Sequence, residues 1–334
     1  MKAIVLTGPG TIVTADVGEP DATGKALIRL ELVGICGTDV KIAKGEIPVA
    51  YPRVLGHELI GRVVRAGPRG VVAEGTRVLI DPAVACGYCD LCRAGRANLC
   101  RNGALLGRDL DGGFAERIAI DENQLHPVPE TIARPAAGLL QVLGTCVHAQ
   151  SGLDILAPDT AVVIGLGVAG LLHVELLRAR GIRRIIGITR SPAKRELALA
   201  LGASDAAHPD EADAFVSNLT DGRGATLVIE AVGTVGTFAQ AIHVAAIGAT
   251  IVVFGTITAT RADALPFYQL YFKELRILNP RAALGRDYDR AIALAASGAV
   301  DLAPLWARSY PFDQAAQAFH DVTDSGRLKV TLDV

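Results

Sequence analysis

Aromatic residues are scarce. They make up 4% of the 334 residues, and only one is a tryptophan. Single-stranded nucleic acids are held on aromatic stacking platforms, and this chain has little to build one from. Positive charge is not in excess either: 33 lysines and arginines stand against 35 acids, a formal charge of −2. Without a basic surplus to neutralise phosphates, no nucleic-acid partner is expected. Long apolar runs are missing too. The longest, Ala161 to Leu172, is broken by glycines and falls short of the roughly 20 residues that cross a bilayer, so no membrane partner is expected. The opening MKAIVLTGPG has neither the long apolar region nor the small-residue cleavage site of a signal peptide. A cytoplasmic protein is expected.

Half of the residues are hydrophobic and 20% are charged, which excludes wholesale disorder. The length suits two domains. In the first third, KAIVL, ALIRLELV, IGRVVRAG and TRVLIDP read as strands between glycine and proline turns. From Thr160 the pattern changes. AVVIGLG precedes the helical VAGLLHVELLRARG, RIIGITR precedes SPAKRELALALG, and TLVIEAVG precedes TFAQAIHVAA and ATIVVFG. Such alternation builds βαβ units on a parallel sheet. The tail returns to mixed elements, with YDRAIALAASG and FDQAAQAFHDV as helices and LKVTLDV as a closing strand. The fold class is therefore α/β: a β-rich body, residues 1–155 and 280–334, with a doubly wound parallel-sheet domain, 156–279, inserted into it. LAPDT (Leu156–Thr160) marks the entry, and the exit is expected near Ile277–Pro280.

Gly165-Leu166-Gly167-Val168-Ala169-Gly170 spells G-x-G-x-x-G after an apolar strand and at the start of a helix. In that context the first glycine permits the turn, the second admits a pyrophosphate, and the third lets helix and sheet close up. The helix N-terminus then faces the phosphates. An NAD site places an acid at the end of the next strand, on the ribose 2′-hydroxyl. Here no acid lies between Glu175 and Glu196, and the segment offers Thr189, Arg190, Ser191, Lys194 and Arg195 instead. Arginine forks suit a 2′-phosphate, so NADP(H) is expected over NAD(H). A solvated basic turn with little cofactor preference is the plainer alternative.

Cys86, Cys89, Cys92 and Cys100 follow C-x2-C-x2-C-x7-C within the loop 84–102. Four thiolates on one loop suit a closed, tetrahedral, structural zinc site. The iron–sulfur alternative has a shorter last spacing followed by proline, whereas Cys100 is followed by Arg101. Cys36-Gly37-Thr38-Asp39 and Gly56-His57-Glu58 lie outside that loop and offer a thiolate and an imidazole, two of the three ligands of a catalytic zinc. Alone, each is equally a buried small side chain or an ordinary histidine.

Together with GGFAE (Gly112–Glu116), the strand end VIEAVG and the closing GRLKV, these motifs resemble the zinc-dependent medium-chain dehydrogenase/reductase superfamily. The likeness spans essentially the whole chain and is greatest to the polyol (sorbitol-type) and secondary-alcohol branch. It implies a GroES-like catalytic domain carrying a Rossmann domain, and two zinc ions per chain. Cys36 and His57 match the catalytic zinc ligands, and Glu58 matches a glutamate that joins them in some members. Thr38 matches the hydroxyl that bonds the substrate alcohol and starts the proton relay. Asp39 matches the carboxylate that orients the ligand histidine. Thr145 and Val232 match residues of the cofactor site, and Lys329 matches a basic residue near the pyrophosphate. Two positions depart from the family. Gln141 stands where the third zinc ligand is Cys, Glu or Asp, so either Glu58 replaces it or zinc binds more weakly; Cys146 nearby reads as a buried thiol. Lys41 replaces the relay histidine of classical alcohol dehydrogenases, which leaves proton exit to the cofactor ribose and water.

The segments expected to line the substrate pocket are Ala43–Tyr51, Arg108–Asp111 and Asn279–Arg281. Glu46, Tyr51 and Arg281 among them are polar, as a polyol, sugar or hydroxy acid requires; rim charges are the alternative. The expected activity is NADP-dependent oxidation of a polyol or sugar-type secondary alcohol. A simple secondary-alcohol dehydrogenase or carbonyl reductase is the second reading, and a non-catalytic binding protein is the third. A homodimer or homotetramer is implied by the resemblance, with the last strand of the Rossmann sheet, near Ile251–Thr258, at the interface.

Overall fold

The computed structural model describes residues 1–153, 160–259, 265–322 and 328–334. They form two compact units. The first comprises Met1–Thr145, Ala282–Gly298 and Leu302–Val334; the second comprises Cys146–Arg281 and Ala299–Asp301. The expected entry at Leu156 lies outside the described residues, as do Gly326 and Arg327 of the closing motif. The division falls earlier, between Thr145 and Cys146, because the end of the helix there is tied to the second unit. Gln150 Nε2 meets His173 Nδ1 at 3.0 Å, and Cys146 Sγ reaches the Ala169 carbonyl at 3.7 Å.

In the first unit, apolar β-branched runs become β1 (Ala26–Gly34), β2 (Glu58–Arg65) and β3 (Arg77–Ile80). The main sheet runs Leu125–Pro127, β3, β2, β1, Lys329–Asp333 and Trp306–Pro311. Alternate residues of β1, Ala26, Ile28 and Leu30, enter one core with Leu59, Ile80 and Leu332. Phe114 meets Phe319 edge-on there, ring centroids 5.7 Å apart. A short helix, α1 (Gly37–Ala43), follows β1, and a longer one, α2 (Leu140–Ser151), carries the chain into the second unit.

The second unit is built on β4 (Thr160–Ile164), α3 (Val168–Ala179), β5 (Arg184–Ile188), α4 (Pro192–Ala200), β6 (Asp205–Ala207), α5 (Ala212–Leu219), β7 (Ala225–Glu230), α6 (Val235–Val244), β8 (Ala245–Val253), α7 (Phe267–Phe272) and β9 (Arg276–Leu278). Its strands are all parallel, in the order β6-β5-β4-β7-β8-β9. Strands covered on both faces are apolar throughout, as in Ala161–Ile164, all buried. Strand order reverses between β4 and β7, the place where a doubly wound sheet binds its ligand. Ile251–Thr258 is not the last strand of this sheet. Ile251, Val252 and Val253 are buried in β8 between β7 and β9, so among the described residues the edge strand is Arg276–Leu278. Among the described residues, no helix is long and apolar enough to cross a membrane.

Candidate active site

Cys36 stands at the head of α1, and Asp39 in the first turn folds back on it. Asp39 Oδ2 accepts a hydrogen bond from the Cys36 amide at 2.9 Å, while Oδ1 lies 3.3 Å from His57 Nδ1 and 3.4 Å from the Gly56 amide. One wholly buried carboxylate thus sets both the thiol and the imidazole. With Nδ1 turned to Asp39, His57 keeps Nε2 for a ligand. Burial opposes a charge on that ring, yet Asp39 and Cys36 together hold its pKa well above the usual histidine value. Glu58 opens β2 directly opposite Gly34 of β1. A Cβ at position 34 would lie 2.1 Å from Glu58 Oε2, so the glycine makes room for the carboxylate.

The ligand atoms of Cys36, His57 and Glu58 all lie within 4.8 Å of one another. Glu58 Oε2 accepts from the buried Lys329 Nζ at 2.5 Å, while Oε1 is buried with no partner among the described residues. Thiolate, imidazole and carboxylate are zinc's usual donors, and a cation would satisfy the orphaned oxygen. The residues fit the metal. Gln141, on α2, is buried and turns its amide Nε2 toward the Tyr288 hydroxyl at 3.5 Å.

The second cluster is separate. The sulfurs of Cys86, Cys89, Cys92 and Cys100 also lie within 4.8 Å of one another, and none is in a disulfide. Cys86 and Cys100 Sγ are 3.4 Å apart. Backbone amides of Arg101 and Cys92 pull the Cys89 thiol down to about 6. Burial and the neighbouring sulfurs push Cys92 up to about 12. The four cannot all ionise side by side without a cation, which is the donor chemistry of a closed zinc site.

In the second unit, Gly165 takes φ +93°, a conformation that favours glycine. A Cβ on Gly170 would come within 1.8 Å of the Gly165 carbonyl, so the helix closes on the turn only with glycine there. A Cβ on Gly167 would meet nothing within 4 Å, leaving that face open for a ligand's approach. Leu166 is buried beneath the turn, and Val168 and Ala169 form the first turn of α3. At the end of β5, Ser191 caps α4 by accepting from the Lys194 amide, and Arg195 Nη1 donates to the Thr189 and Arg190 carbonyls at 2.8 and 3.2 Å. Arg190 is left exposed beside them.

Two family models match the chain: "Alcohol dehydrogenase GroES-like domain" over residues 22–130 and "Zinc-binding dehydrogenase" over 168–297. The chain is a zinc-dependent medium-chain dehydrogenase. A curated sorbitol dehydrogenase of Halalkalibacterium halodurans is 30% identical, over 99% of this chain and 99% of its own. A zinc-binding dehydrogenase of Sinorhizobium meliloti 1021, solved with NADP, has a TM-score of 0.92 at 33% identity, covering 100% of this chain and 99% of its own. An alcohol dehydrogenase of Escherichia coli CFT073, solved with NADH, has a TM-score of 0.90 at 27% identity, with the same coverages.

Within this dehydrogenase, the remaining expected site residues differ in exposure. Thr38 is half-buried in the first turn of α1. The Thr145 hydroxyl donates to the Val142 carbonyl at 2.7 Å. Val232 is 47% exposed and sits over Gly165. Glu46, Tyr51 and Arg281 are exposed. Lys329 is buried on Glu58 and the Ile35 carbonyl, as a buried ammonium needs a counter-charge. A cavity of about 350 Å³ at the ends of β8 and β9 is lined by Phe238, Phe254 and Thr256 together with Asn279 and Pro280 of the segment expected at the substrate pocket. Pattern reading missed Gly34, Phe238 and Phe254. No motif marks those positions; only the strand ends, once aligned in a sheet, show them.

Proposed function

We propose that this enzyme oxidises polyol or sugar-type secondary alcohols with NADP, and reduces the matching ketones in reverse. The observation that carries the reading is the Cys36–His57–Glu58 cluster with its orphaned Glu58 oxygen. In this reading Cys36, His57 and Glu58 hold a catalytic zinc, Gln141 does not, and the four-cysteine loop holds a second zinc. Bound there, zinc and the nicotinamide supply polarisation of a carbinol oxygen and acceptance of a hydride. Asp39 keeps His57 in one orientation, and the Thr38 hydroxyl bonds the substrate oxygen and takes its proton onward. Lys329 balances Glu58.

The dinucleotide lies across the Gly165–Gly170 turn, with its nicotinamide end in the cavity beyond β8 and β9. Arg190 reaches its 2′-phosphate, while Arg195 braces the loop that carries Arg190, along with Thr189 and Ser191. The NADP in the S. meliloti structure supports this preference, and the NADH in the E. coli one makes it worth measuring. The sorbitol dehydrogenase likeness supports the substrate class, with Glu46, Tyr51 and Arg281 as the polar contacts. Six free thiols suit the reducing cytoplasm, and a second copy of the chain is the expected partner.

Initial rates of NADP and NAD reduction with polyols, aldoses, hydroxy acids and simple secondary alcohols test this. Turnover confined to polyhydroxylated substrates, at least about tenfold better with NADP in kcat/KM, is the expected result. Turnover of simple alcohols alone moves the assignment to a secondary-alcohol dehydrogenase, and equal use of NAD removes the role given to Arg190.

A further inference from the structure

Glu230 ends β7 at the point where the strand order reverses, and it pairs with Ile164, the residue before Gly165. Its side chain is wholly buried. Three donors converge on one oxygen: the amides of Val232 and Gly233 and the Thr237 hydroxyl each reach Oε1 at 2.8 Å. Oε2 is buried without a partner among the described residues. The Glu230 carbonyl accepts from the Phe254 and Gly255 amides at 2.8 and 2.9 Å. One residue therefore ties together the end of β7, the start of α6 and the end of β8.

The turn these bonds impose has a consequence at the glycine loop. Val232 comes to lie against Gly165, where an added Cβ would meet Val232 Cγ2 at 2.4 Å. On the other side Gly233 packs on Gly255, whose Cβ would fall 2.2 Å from the Gly233 amide nitrogen. Burying a carboxylate is costly, and converging donors offset that cost only when the loop holds one geometry. A dinucleotide crosses a doubly wound sheet at this reversal.

The structure assigns Glu230 as the positioning residue of the dinucleotide site: its carboxylate sets the loop Ala231–Thr237, and through it Val232, against the Gly165 turn. The assignment rests on the dinucleotide reading of that turn. Glu230 acts through the loop and is not a catalytic residue.

Calorimetric binding of NADPH and NADH to the full-length protein, with steady-state kinetics on its best alcohol, tests this. Glu230→Ala is expected to weaken NADPH binding about tenfold or more, while kcat at saturating NADP stays within about twofold. Glu230→Gln keeps one acceptor oxygen for the three donors and is expected to bind within about threefold of the wild type. Should Glu230→Ala fail to fold, Thr237→Val removes one of the donors and is expected to raise the NADP KM several-fold at unchanged kcat. Wild-type affinity in the alanine and valine variants, or equal loss of affinity and kcat, overturns the assignment. A wild type that binds neither dinucleotide overturns the underlying reading of the turn, and this assignment with it.

Discussion

His173 and Glu175 sit one turn into the helix behind the dinucleotide loop, both buried, and burial drives them in opposite directions. Desolvation alone lowers His173 to about 3. Desolvation raises Glu175 to about 7, only partly opposed by the Asp301 amide and Arg178. The linkage signs follow. For His173 the folded value lies below the ordinary 6.5, so its contribution is present above that value and is lost as pH falls towards about 3. For Glu175 the folded value lies above the ordinary 4.5, so its contribution is present below that value and is lost as pH rises through about 7. Thermal melts of wild type and Glu175→Gln between pH 5 and 8 check the second limb. His173 is common to both proteins, so the difference isolates Glu175: the stability of the variant relative to the wild type is expected to rise with pH across that window, and parallel curves would count against it. Residue-level chemistry was only partly legible in the sequence. Cys36, His57, Glu58 and the four loop cysteines carry recognisable spacings, and the structure brings each set together. Gly34 carries none, because its importance lies in Glu58 opposite it across a strand pair, and Glu230 lies within VIEAVG with nothing in the sequence to show the turn its carboxylate gathers.

Among the elements, α7 stands out. Within its six residues Phe267, Tyr268, Tyr271 and Phe272 are all exposed, Tyr271 to 82%. It leads directly into β9, whose outer edge has no strand beside it among the described residues. An open edge beside an aromatic patch is what a second copy of the chain would cover. Sedimentation of the wild type as a dimer or larger, and of Tyr268→Glu/Tyr271→Glu as a smaller species, is the expected outcome. A monomeric wild type would remove this surface from the account. Long periodic elements were legible because burial imposes their pattern: Ala26–Gly34 alternates, and Val168–Ala179 is apolar on nearly every side it buries. Two-residue strands such as Arg53–Val54 and Ala83–Val84 have no period to read. The reading of Ile251–Thr258 as the last strand of the sheet failed for a related reason; its place at an interface is a separate matter. An apolar strand looks alike at the centre and edge of a parallel sheet, and only the pairing of β9 decides.

For the whole molecule, the β-rich body and the inserted parallel sheet followed from where the hydrophobic period changes. The boundary inside α2 did not, because a continuous helix gives no compositional break. The proposed function gives this scale two metal centres with different tasks, one at Cys36–His57–Glu58 and one on the cysteine loop, each a group whose ligand atoms lie within 4.8 Å of one another. Metal analysis of the purified protein alongside alcohol-driven NADP reduction tests that claim most directly. The account predicts two zinc ions per chain, with His57→Ala keeping one, staying folded and losing turnover by about a thousandfold or more. A wild type with a single zinc, or a His57→Ala variant that retains both metal and turnover, would contradict it.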